Sequence, residues 1–173
     1  MSTMNVGSKS LLRACSFLLV ALTHSFSLAQ DPFDEIPKLQ KRMDGLEAQI
    51  WESQGRFIAS EELNPRQDNA LMLLTHTSKN LNIINREFQA LFQYRFLAGL
   101  ITGKSATQYA LGVVVDQREL LKKLNKVSIE VLEKTMHSAG DQETNRLLLE
   151  ARDLFRSSRD LLDRLQVPET MAK

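Results

Sequence analysis

The feature that most constrains this chain is the spacing of its apolar side chains, which recur every three or four residues along four separate stretches. Between residues 34 and 62 they fall at Ile36, Leu39, Met43, Leu46, Ile50 and Phe57, in steps of three, four, three, four and seven. An α-helix completes a turn in about 3.6 residues, so such a set lies on one helix face. Trp51 and Ile58 are expected to widen that stripe. The second pattern runs from Pro65 to about Ile101 and carries Leu71, Leu74, Leu81, Ile84, Phe88, Leu91, Phe92 and Leu97. The third, from about Ala106 to Ser138, is expected to turn Ala110, Val113, Leu120, Leu124, Val127 and Val131 inward. The fourth covers roughly Gln142–Gln166, with Leu147, Ala151, Leu154, Ser158, Leu161 and Leu165 on one seam. No stretch alternates convincingly with period two. Val113-Val114-Val115 is strand-prone on its own but sits within a long helical pattern.

Turn chemistry separates the four patterns. Asn64 suits a helix N-cap, and Pro65 suits the first helical position, where its missing N–H has no partner to lose. Gly103 followed by Ser105-Ala106-Thr107-Gln108 reads as a helix end and then a capping box. Ala139-Gly140-Asp141 combines a helix-ending glycine with an aspartate that can cap the next helix. Amphipathic helices with short connections pack against their chain neighbours in opposite directions. The expected fold is therefore all-α: an antiparallel up-down-up-down four-helix bundle with a long central helical hairpin.

The first residues read differently. Lys9 and Arg13 precede a short apolar run, Ala14–Leu22, and Ser27-Leu28-Ala29 places small residues where a signal peptidase cuts. Residues 1–29 are thus expected to be a secretory signal peptide and 30–173 the helical bundle domain, exported to a periplasm or the extracellular space. The run is shorter than the roughly 17–25 residues that span a bilayer. Cleavage would remove the lone Cys15, leaving no thiol for a disulfide or a metal. It would also remove two bases and take the charge balance from 22 bases and 21 acids to 20 and 21, a net of −1. A near-neutral chain has no global attraction for nucleic acid, so none is expected as a partner.

Ala98-Gly99-Leu100-Ile101-Thr102-Gly103-Lys104-Ser105 fits a relaxed phosphate-binding loop. Such a loop works because it follows a buried strand and aims backbone N–H groups and a helix start at phosphate. Here the preceding residues are helical, and no later apolar run offers an aspartate with strand character to hold the metal. The stretch is read as a turn, and no nucleotide is expected.

Other chemistry is sparse. His76 and His137, with Met72 and Met136 nearby, could hold haem or a metal between helices two and three; this is the alternative to a cofactor-free bundle. There is no Cys-x-x-Cys-His attachment site. The Glu-x-x-His pair that a di-iron bundle needs is missing, and no serine sits in a nucleophile elbow. No catalytic, cofactor-binding or metal-ligating residue is assigned. Residues 31–62 carry a net of −4 and residues 104–134 a net of +2. That imbalance is expected to reflect solvated faces, with Glu119–Lys123 and Glu130–Lys134 pairs along the third helix.

What remains is apolar surface around the central turn. Phe96, Leu97, Leu100, Ile101, Tyr109, Val113 and Val114 are the candidate partner-contact residues. Packing of this tip on Ile36 and Leu39 or on Leu161 and Leu165 is the favoured expectation, since apolar residues near helix ends are usually core. The function expected is non-enzymatic, acting through a protein partner or homo-oligomer, with a membrane-active hairpin as a further alternative.

Overall fold

The computed structural model describes residues 31–60, 62–136 and 141–166. The expected signal peptide, the Ala139-Gly140 punctuation, His137 and the polar end after Gln166 lie outside the described residues. A 3-10 turn, Pro32–Glu35, leads into α1 (Ile36–Ile58), followed by α2 (Pro65–Leu100), α3 (Lys104–Thr135) and α4 (Gln142–Arg164). No strand occurs among the described residues.

Side-chain contacts give the directions. Gln54 donates to Thr75 at 3.0 Å, while Gln40 donates to the Asn85 carbonyl at 3.1 Å. Numbers fall along α1 as they rise along α2, so the two helices are antiparallel. Arg118 donates to the Leu165 carbonyl, Lys122 meets Asp163, and Arg156 meets Glu133, which makes α3 and α4 antiparallel. Glu35 with Arg164 and Gln49 with Arg146 do the same for α1 and α4. Antiparallel packing of α2 on α3 then follows. All four chain-neighbour and ring-closing pairs are in contact, and α2 also touches α4 across the bundle.

Each outer helix is legible from a single apolar row. Ile36, Leu39, Met43, Leu46 and Ile50 of α1 are all buried, and so is the whole expected seam of α4 from Leu147 to Leu165. Trp51 and Ile58 instead face solvent. Asn64 caps α2 as expected, accepting from the Arg66 and Gln67 N–H groups at 3.0 Å, and Gln67 accepts from the Asn64 N–H at 3.0 Å in return. Asp141 caps α4 through the Thr144 N–H at 2.8 Å.

Two expectations for α3 are corrected. Its N-cap is Gly103, with no side-chain cap, so Ser105 stands inside the first turn and the Ser105–Gln108 capping box does not form. Thr107 takes part instead, donating to the carbonyls of Ile101 and Gly103 at 3.1 Å. The buried row is also one residue away from the one expected: Leu111, Val114, Leu121, Asn125, Ser128, Ile129 and Leu132 face inward along with Ala110. Leu120, Val127 and Val131 are 42 %, 57 % and 43 % exposed. Two rows compete on this helix. The inner one is interrupted by Asn125 and Ser128 and the outer one only by Gln117, so the outer one looks more like a core. The pairs on α3 shift as well: Glu119 meets Arg118 and Lys122, and Glu130 meets Lys126.

Candidate interaction surface

α2 has 36 residues and α3 has 32, against 23 each in α1 and α4. The excess falls at one end. The Arg95 guanidinium lies over the Phe33 ring, 5.3 Å from its centroid, which sets the start of the bundle chain beside Arg95. Arg118 Nη1 bonds the Leu165 carbonyl at 2.9 Å, which sets the end of α4 beside Arg118. Val114 still belongs to the main core, and residues 96–113 continue past it as a helical hairpin. At about 1.5 Å per residue, the ten positions from Val114 to Lys104 carry it roughly 15 Å further.

The two helices of this extension are held by small side chains. Ala98, Ala110 and Leu111 are buried against one another, with Ile101 half-buried beside them. Alanine at facing positions lets the helix backbones approach closely, so little apolar volume is needed to hold the hairpin together. The larger side chains point away: Phe96, Leu97, Leu100 and Tyr109 are 61 %, 45 %, 62 % and 72 % exposed. From Phe96 to Val115 the only charged residue is Lys104, exposed at the corner.

The seven candidate contact residues thus divide. Phe96, Leu97, Leu100 and Tyr109 form an open apolar tip, Ile101 and Val113 are half-buried, and Val114 is fully buried in the main core. The favoured packing of the tip on Ile36, Leu39, Leu161 and Leu165 holds for Val114, which shares their buried cluster, and fails for Phe96, Leu97, Leu100 and Tyr109, which stay exposed. Of the seven candidates only Val114 joins Ile36, Leu39, Leu161 and Leu165 in the main core.

The corner itself has no phosphate-loop setting, because α2 is helical to Leu100 and only Ile101–Gly103 separates it from α3. His76 and Met72 are exposed, and Met136 packs on the core. Among the described residues no group of three or more His, Cys, Asp or Glu side chains gathers in one place. No described helix is long and apolar enough to cross a membrane.

Charge chemistry beyond the tip is structural. Glu35 is held below the ordinary carboxylate value by the hydrogen bond from Arg164, with attraction to Arg164 and Lys38 adding to it, and Arg164 is raised in return. Arg146 lowers Glu143 in the same manner and also reaches Glu150 and Gln49. A groove between α3 and α4 gathers Lys122, Lys123, Lys126, Arg156 and Arg159 around Glu130, Glu133 and Asp163. Its ion pairs link the two helices, a role that sequence spacing along one helix could not disclose.

No family model matches this chain, and neither a curated protein nor a solved structure is similar to it. The reading of function rests on the surface alone.

Proposed function

We propose that this is an exported, non-enzymatic, cofactor-free helical-bundle protein that acts by binding another protein through the projecting α2–α3 hairpin. One observation carries the reading: Phe96, Leu97, Leu100 and Tyr109 stand exposed together on an extension with a single charge. Clustered apolar surface on a soluble fold marks contact sites, and aromatic side chains supply much of the energy at protein interfaces. The layout of residues 1–29 supports export.

A membrane-active hairpin is the second reading, favoured by the same apolar tip. Two features weigh against it. The extension of about 15 Å falls short of the roughly 30 Å hydrocarbon thickness. Lys104 also leads the tip, and a lysine carried to the bilayer centre costs about 2.5–3.5 kcal/mol.

The test compares the protein with its Phe96→Ser/Leu100→Ser variant, two substitutions at exposed positions. A specific partner captured from the exported fraction by the unaltered protein should be lost by the variant, while neither form floats with liposomes. Equal capture by both forms removes the tip from the binding surface. Flotation of the unaltered protein alone establishes the membrane reading in its place.

A further inference from the structure

The outer row of α3 is a second unpartnered surface and is more regular than the tip. Tyr109, Val113, Leu120, Leu124, Val127 and Val131 follow one another in steps of four, seven, four, three and four. Such spacing keeps them on one face for about 33 Å, and it is the pattern of a coiled-coil seam. Tyr109, Leu120, Val127 and Val131 are exposed, and Val113 and Leu124 are half-buried. Along the solvent edge of this row stand Asp116, Lys123 and Glu130, all exposed and seven residues apart, with signs that alternate. Asp116 and Lys123 have no ion-pair partner among the described residues. The other edge is made of Val114, Leu121 and Ser128, all buried in the bundle's own core.

We infer that this row is the seam of an antiparallel homodimer, in which α3 of one copy lies along α3 of a second and Asp116 faces the partner's Lys123. The inference rests on the reading of the protein as one that acts by association, and it names a partner for a face that shares only Tyr109 with the tip. The charged edge selects both direction and register. In a parallel pair the charged edge of one helix faces the opposite edge of the other, which here is core and offers nothing to pair with. In an antiparallel pair charged edge meets charged edge. With the two-fold axis between Glu119 and Leu120, Asp116 meets the partner's Lys123 and Lys123 meets the partner's Asp116. That axis is also the midpoint of Lys104–Thr135, so the two helices overlap from end to end. Moving the axis to Lys123 sets Asp116 against the partner's Glu130 and Lys123 against its own copy, which is repulsive on every pair. Moving it on, to between Lys126 and Val127, matches Lys123 with the partner's Glu130 but leaves Tyr109 and Val113 beyond the overlap. The two-fold arrangement is closed, so it yields a dimer and not a filament.

Light-scattering mass and sedimentation equilibrium of the purified protein test this. At tens of micromolar the expected mass is that of two chains. Val127→Glu, at an exposed position, should give one chain with unchanged helical circular dichroism. Asp116→Lys and Lys123→Asp should each weaken association on the order of tenfold, and the two combined should restore it. A protein that stays monomeric at about 100 micromolar, or a double variant no tighter than either single one, overturns the proposal. So does weakening by Glu130→Lys but not by Asp116→Lys, which places the axis elsewhere. The tip reading fails separately: Phe96 and Leu100 lie on α2 outside this row, so their variant should still dimerise whether or not it captures another protein.

Discussion

Arg164 donates through both terminal nitrogens to the two carboxylate oxygens of Glu35, each at 2.7 Å. The last residue of α4 is thereby fastened to the residue just before α1, 129 positions away in the chain. Two parallel hydrogen bonds between guanidinium and carboxylate fix orientation as well as distance. Both side chains are partly exposed, so the contact aligns the helix ends more than it stabilises the fold.

That pair gives a pH prediction. Glu35 is held below its ordinary value in the folded chain, chiefly by the Arg164 hydrogen bond. A depressed carboxyl contributes stability that is complete above the unfolded value and is lost as pH falls through the folded one. Glu35→Gln should therefore melt slightly below the unaltered protein at neutral pH. The gap should close as the carboxylate protonates in acid, below the ordinary carboxylate range. Thermal melts of both forms from neutral pH down to pH 3 check it; a gap that widens in acid contradicts the pairing.

The orientation of α3 is tested by two adjacent leucines. Leu121 is fully buried and Leu120 is 42 % exposed. Leu121→Ala should cost about 2–5 kcal/mol, the usual range for emptying a core site. Leu120→Ala should cost well under about 1 kcal/mol when measured by urea unfolding at low protein concentration. The reverse order would turn the helix by about 100° and restore the row that looks most apolar.

Helix capping supplies a third contrast. Asn64 closes a reciprocal box with Gln67, so Asn64→Ala should cost about 1 kcal/mol. Ser105 lies in the first turn of α3 and caps nothing, so Ser105→Ala should leave the midpoint unchanged. Equal losses in the two variants would show that α3 starts later than Lys104.

The outer helices were readable because on each the buried apolar side chains keep to one face against charged ones. Every inward residue expected for α4 is buried, down to Ser158, and Leu148, Phe155 and Leu162 widen the same face without displacing it. On α3 the competition was real. Asn125 is fully buried with its amide donating to the Leu121 carbonyl at 2.8 Å, and neither it nor Ser128 looks like a core residue in a list of letters. The exposed tip was hidden for another reason. Phe96 and Leu100 are apolar in any reading, and only the positions of Phe33 beside Arg95 and Leu165 beside Arg118 decide whether a neighbour covers them. Periodicity shows which way a residue faces, but not where a neighbouring helix stops.

The fastening of Glu35 to Arg164 also changes how the chain order should be understood. Every helix lies antiparallel to the one before it, and the last lies antiparallel to the first, so the four form a closed cycle. The chain enters that cycle at Pro32 and leaves it at Leu165, at the same end of the bundle and beside the base of the hairpin. A bridge across that gap and a cut between α1 and α2 would preserve each of the neighbouring pairs. The architecture is circular, and the linear sequence is one of several ways to thread it.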